Sequence, residues 1–196
     1  PGSVTMEVQD VPAIVLAAHE RGVAVALDNT YAAGVMFDAF YHGVDVSIQA
    51  LTKYIGGHSD LLLGSVSVRD ESAYKMFGPV YRQLGLAVSP DDCSLALRGL
   101  QTLAVRLGQL ETSTLEVAYW LEENPHIATV YHPALPSCPG HGNWKRDFTG
   151  SASVFSFLLK DHCSAQQAQD FLNRLQIFKI GLSWGGVNSL AVVYPD

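Results

Sequence analysis

The sequence predicts an α/β fold built on a mostly parallel sheet with helices on both faces, followed by a smaller α/β layer. Three observations carry that prediction. A capped helical run leads into an unbroken apolar strand. Two more strand-like runs follow, separated by loop chemistry. The composition also suits a sizeable core, because 48% of the 196 residues are hydrophobic and 16% are charged, a globular balance and not a disordered or fibrous one.

Asp10, Pro12 and an apolar-rich stretch ending at Arg21-Gly22 read as a helix with its N-cap, a proline in the first turn and a terminal glycine. Val23 to Leu27 then reads as a strand, and its continuous apolar character predicts burial on both faces. Gly34 to His42 leads to a second strand over Val44 to Ile48. After the loop Gly56-Gly57-His58-Ser59-Asp60, a third strand is predicted over Leu61 to Val68. Helix, strand and strand in this order argue for the α/β class.

From Ser89-Pro90-Asp91-Asp92 to Glu123-Asn124-Pro125, leucines recur at helical spacing between start and stop signals. This predicts a helix pair or one long bent helix able to bridge two domains. Ile127 to His132, Ser151 to Leu159 and Leu190 to Tyr194 read as strands, and Ser164 to Leu175 as a helix. The division is placed near residue 100, giving residues 1–100 and 101–196.

With 12 basic against 19 acidic residues and a formal charge of −7, the chain lacks the electrostatic footprint of a nucleic-acid binder. Its longest apolar runs, Val11 to Ala18 and Leu61 to Val68, are short of a bilayer span. Cys93, Cys138 and Cys163 are odd in number and widely spaced, which points to a reducing, cytoplasmic setting. The opening Pro1-Gly2-Ser3 has neither an initiator Met nor a signal pattern and reads as a fragment.

Asp28 and Lys53 each stand at or just beyond the C-terminal end of a predicted buried strand, so neighbouring parallel strands bring them to one sheet edge, where open α/β sheets bind ligands. A carboxylate there can keep a pyridine nitrogen protonated. A partly desolvated lysine suits covalent chemistry with a carbonyl group. On spacing alone the alternative stands: an aspartate capping the next element and a surface lysine.

Ala26-Leu-Asp-Asn-Thr-Tyr-Ala-Ala-Gly34, Asp45-Val-Ser-Ile-Gln-Ala-Leu-Thr-Lys-Tyr-Ile-Gly-Gly-His-Ser-Asp60 and Ser183-Trp-Gly-Gly186 resemble the Cys/Met-metabolism pyridoxal-phosphate (PLP) enzymes, in particular the cystathionine β-lyases. Arg98 to Leu103, His132-Pro-Ala-Leu135 and Gly140 to Gly150 extend the resemblance over nearly the whole chain. It implies a PLP-dependent transferase fold of type I. Residues 1–100 would then be the end of the large cofactor domain, and residues 101–196 the connecting helix with most of the small domain.

It also implies pyridoxal 5'-phosphate as cofactor, Lys53 as the catalytic residue that holds it and moves the Cα proton, Asp28 on the pyridine nitrogen and Thr52 on the phosphate. Ser183 and Trp184 are implied to lie against an amino-acid substrate. The family's frequent serine three positions before the lysine is Ala50 here, so Thr52 carries more of the phosphate. A Gly-rich turn and a stacking tyrosine upstream, and a substrate-binding arginine downstream, lie outside this chain. The implied reaction is elimination of cystathionine to homocysteine, pyruvate and ammonia, within methionine biosynthesis, by a homotetramer. The γ-lyase, γ-synthase and methionine γ-lyase chemistries use the same Lys53 and Asp28, and a non-catalytic piece is the reading from outside the enzyme class.

Gly181-Leu-Ser-Trp-Gly185 matches the nucleophile elbow of α/β-hydrolases, but no histidine follows Ser183, only Asp196, and a strand-like run stands where a helix is needed. His132, His141, His162 and the cysteines lack ligand spacing and read as satisfied loop residues, with no metal expected. His58 reads as stabilising its own turn. Arg98 and Arg106 read as solvated or inter-subunit ion pairs on the long helix.

Overall fold

A computed structural model describes residues 1–194. Asp196, which enters the hydrolase comparison, lies outside them. Helix α1 runs over Val11–His19, its Asp10 side chain accepting from the Ala13 amide, and Gly22 takes the left-handed conformation (φ +66°) just after it. Strands β1 (Ala26–Asp28), β2 (Val46–Ala50) and β3 (Gly64–Val68) form one sheet in that order. β1 and β2 are parallel, with Asp28 opposite Ile48. β3 returns antiparallel, Ala50 opposite Gly64. The β2–β3 connection contains no helix to carry the chain back across the sheet, and without a crossover the next strand can only reverse direction.

Helix α2 (Glu71–Gln83), which the sequence reading did not assign, is capped by Asp70 and has no buried residue. α3 (Pro90–Gln101) and α4 (Leu103–Glu122) form the predicted pair, parted at Thr102. β4 (Ile127–Tyr131) and β5 (Ser156–Leu159) pair antiparallel, with helix α5 (His141–Asp147) between them in sequence. α6 (Ala165–Arg174) opens with a capping box of Ser164 and Gln167, and β6 (Lys179–Ile180) pairs with β7 (Leu190–Ala191).

Two hydrophobic clusters organise the packing. The first gathers Met6, Val15, Tyr31, Phe37, Tyr54, Leu103, Leu107 and Ala152. The second gathers Ala118, Leu121, Val130 and Leu135. α4 therefore anchors its first turns in one core and its last turns in the other, which its leucine spacing allows because a 20-residue helix spans about 30 Å.

One expectation is corrected here. The apolar strand was predicted to be buried on both faces, yet in β1 only Leu27 is half-buried while Ala26 and Asp28 are exposed, and Val23 is 56% exposed. The sheet has no second covering layer among the described residues, so hydrophobic side chains such as Val66 and Leu62 face outward. No helix among the described residues is long and apolar enough to cross a membrane.

Candidate active site

The segment just after β1 is stitched to the C-terminal end of β2 by one backbone and one side-chain hydrogen bond. The Asn29 amide donates to the Ile48 carbonyl (2.7 Å), and the Ala50 amide donates to Thr30 Oγ1 (2.8 Å). The Asp28 side chain receives the Thr30 amide at 2.9 Å through Oδ1, which fixes the carboxylate at the sheet edge. Lys53 sits in the turn that follows, its amide bonded to the Ala50 carbonyl at 3.1 Å.

The Lys53 ammonium donates to Ser183 Oγ at 2.8 Å and lies 4.3 Å from the centre of the Trp184 ring. This joins residues 130 positions apart. The approach depends on Gly185, at φ +76°, whose backbone packs so closely on the Lys53–Tyr54 peptide that a Cβ there would lie 2.8 Å from the Tyr54 nitrogen. Only glycine meets both the left-handed conformation and that contact. Tyr54, almost fully buried, anchors the other side: its hydroxyl contacts Ser153 Oγ (3.1 Å) and receives the Ser153 amide (3.0 Å), and burial raises its pKa.

An open cleft of about 410 Å³ is lined by Asp28, Gln49, Ala50, Thr52 and Leu62 to Gly64, within the range of small-molecule sites. Thr52 lines it, but its hydroxyl exchanges hydrogen bonds with the Leu63 backbone, receiving the amide at 3.0 Å and donating to the carbonyl at 3.3 Å. A phosphate oxygen at Thr52 competes with that carbonyl for its one proton. A groove of about 490 Å³ beside α5 contains Glu111, His141 and Lys145. Two of its polar groups are already engaged: Glu111 accepts from the Ser151 amide and hydroxyl, and His141 Nδ1 contacts the Pro133 carbonyl at 3.0 Å.

His58 contacts the Gly56 carbonyl through Nδ1 at 2.6 Å, and Arg98 pairs with Asp60 at 2.6 Å, both within the chain and around the Lys53 turn. Arg106 departs from its expected role. It makes no ion pair among the described residues. Its guanidinium donates instead to the carbonyls of Tyr54 (2.7 Å), Gly99 (2.8 Å) and Ile55 (3.3 Å), and burial lowers its pKa. A planar fork of five donors suits carbonyls that converge from two segments. His132 is a loop histidine, as expected, but a buried one. It is fully buried just after β4, its Nδ1 accepting the Ala134 amide at 3.2 Å, and desolvation lowers its pKa.

An α/β sheet whose C-terminal edge presents a carboxylate, and beside it a lysine set against a Ser-Trp segment, defines a chain of the lysine-dependent cofactor class. Residues 1–195 match the model of the "Cys/Met metabolism PLP-dependent enzyme" family, and the chain belongs to that family. It is 46% identical over 192 residues to the cystathionine β-lyase MetC of Escherichia coli K12, covering 97% of this chain and 48% of that protein. It is 44% identical over 192 residues to the cystathionine β-lyase of Haemophilus influenzae, again 97% and 48%. Among solved structures, the cystathionine γ-synthase of Xanthomonas oryzae superposes with a TM-score of 0.93 at 31% identity, covering 98% of this chain and 49% of that one. The chain thus spans about half the length of the curated relatives it matches.

The residues present fit the family's cofactor, pyridoxal phosphate. Gln49 Oε1 and Trp184 Nε1 are buried polar atoms without a partner among the described residues, at two ends of the Asp28–Lys53 region. Buried donors and acceptors are normally paired, so both are available to a bound molecule. Sequence reading named Asp28, Lys53, Thr52, Ser183 and Trp184 as candidates. It did not find Gln49 as an unpaired acceptor or Arg106 as a carbonyl clamp, because only tertiary contacts reveal either.

Proposed function

We propose that this chain carries the cofactor-binding lysine and aspartate of a carbon–sulfur β-lyase that cleaves cystathionine to homocysteine, pyruvate and ammonia. The observation that carries the reading is the Lys53–Ser183–Trp184 contact, which brings a lysine and a Ser-Trp segment together beside the Asp28 edge. The β-lyase relatives, at 44% and 46% identity, also stand nearer in sequence than the γ-synthase structure at 31%.

In this reading Lys53 would hold the cofactor covalently, and its free amine would take up the Cα proton. Asp28 keeps the pyridine nitrogen protonated, and its anchoring to the Thr30 amide holds the carboxylate in place for that role. The cofactor, when bound, supplies an electron sink that makes loss of the Cα proton feasible. Thr52 donates to the phosphate after turning its proton from the Leu63 carbonyl. Ser183 steadies the Lys53 amine and lies near the substrate carboxylate, while Trp184 walls one side of the site.

The proposal includes a large-domain portion over residues 1–100, a small-domain portion over 101–196, and a homotetramer in the cytoplasm. Two observations support the assembly and the compartment: α2 leaves Met76, Phe77 and Tyr81 exposed, and Cys93, Cys138 and Cys163 are all free thiols.

The deciding experiment mixes cystathionine with the full-length protein and separates the 2-oxo acids released. Pyruvate is the expected product, and 2-oxobutyrate alone overturns the β-lyase reading in favour of γ-chemistry. Borohydride trapping followed by peptide mass spectrometry should place a pyridoxyl group on Lys53. Its absence from well-folded protein would favour a non-catalytic piece.

A further inference from the structure

His126 and His162, both exposed, and half-buried Cys163 come together at the open end of the β4–β5 ladder. We infer that they form a binding site for a borderline-soft divalent cation such as Zn²⁺, independent of the Lys53 site. One ligand atom from each of the three lies within 4.8 Å of the others, and His126 Nδ1 stands 3.1 Å from His162 Nε2. Two nitrogens on a tetrahedral zinc, each at about 2.0–2.1 Å, are separated by roughly 3.3 Å, so that pair is already close to coordination spacing.

The backbone builds the site. His126 immediately precedes β4 and its carbonyl receives the Lys160 amide at 2.9 Å. The Cys163 amide closes back on the Lys160 carbonyl at 2.8 Å, which turns His162 and Cys163 toward His126. The Asn124 side chain receives the His126 amide at 3.0 Å and fixes the third arm. Ser164, next in sequence, caps α6, so the thiol is held at an ordered helix start.

Two imidazoles and a thiolate select zinc, cobalt, nickel or copper over the hard alkaline-earth ions, and exposure of both histidines leaves a fourth position to water. On binding, the Cys163 thiol gives up its proton to solvent, and the metal replaces the hydrogen bond that the two imidazoles share. The loaded site ties the start of β4 to the start of α6. No regular sequence spacing announces it, since one histidine precedes β4 and the other follows β5.

The test is a Co²⁺ titration of the chain in chelator-free buffer, with Zn²⁺ as competitor. Expected are one equivalent bound, a thiolate-to-cobalt charge-transfer band, and loss of both on adding Zn²⁺. Cys163→Ser should abolish the band, and His126→Ala or His162→Ala should weaken binding by roughly 100-fold or more. Cys93→Ser should change nothing. As a second readout, Zn²⁺ should slow alkylation of Cys163 in the parent protein and not in His126→Ala. Absence of the band, its survival in Cys163→Ser, or equal affinity in a His126→Ala/His162→Ala double variant of unchanged circular dichroism overturns the assignment.

Discussion

Replacing Arg106 by Met keeps the length and apolar stem of the side chain and removes only its donors. The carbonyls of Tyr54 (2.7 Å) and Ile55 (3.3 Å) then lose their side-chain donor, while that of Gly99 (2.8 Å) keeps the Thr102 amide at 3.2 Å and hydroxyl at 3.3 Å. Hydrogen bonds to a charged donor contribute about 1.5–3 kcal/mol each. The residue is only half-buried, so water can reach part of the vacated space, and the 3.3 Å bond counts for little. The expected loss is about 1–3 kcal/mol, set mainly by the Tyr54 carbonyl left without its donor. Urea unfolding followed by circular dichroism measures it. Arg106→Lys should recover less than half, because one ammonium cannot span carbonyls from two segments. Because Tyr54 is the residue after Lys53, the same variant should also loosen the Lys53 turn and lower borohydride-trapped cofactor. A shift in stability within about 0.5 kcal/mol of the parent, the range of ordinary surface substitutions, would refute the clamp.

Gly99→Ala should be worse still, because a Cβ at that helix position runs into the Ile55 carbonyl and lies 2.6 Å from that of Gly56; loss of cooperative thermal unfolding, against a mild effect of Gly108→Ala where the space is open, is the readout. For His132, the folded-state pKa lies below the ordinary value of 6.5, so the unfolded chain takes up the proton first as pH falls. Stability should therefore be intact above about pH 6.5 and decline below it by up to about 1.4 kcal/mol per pH unit. His132→Gln should flatten that slope in urea titrations at several pH values, and an unchanged slope would show that other groups set it.

The sequence was most informative where local chemistry and function coincide. Asp10, Ser89 and Ser164 each announce a helix start and each caps one. Asp28 and Lys53 were legible because strand ends follow from apolar runs, and the parallel β1–β2 pairing then puts both at one edge. α2 was missed because its Gly78 and Pro79 interrupt the pattern that periodicity relies on. The His126, His162 and Cys163 cluster was missed because the pairing of β4 with β5 creates it. Arg106 was misjudged for a related reason: a charged residue on a leucine-rich helix ordinarily faces solvent, and only the fold shows backbone carbonyls in front of it.

The exposed faces of the sheet and of α2 bear on what Lys53 can do in this chain. Here Lys53 is half-buried, its amine donates to Ser183, and its Nζ lies over the Trp184 ring. Asp28 is exposed. The pair is thus positioned, but the water exclusion that elimination needs is not supplied by the described residues. If the whole protein covers this edge, Asp28 and Lys53 should lose solvent together, and the 2-oxo acid assay should show turnover that residues 1–196 alone do not. Equal turnover by both would mean that Trp184, Ser183 and the cofactor suffice to dry the site, and that the covering layer serves stability or assembly instead.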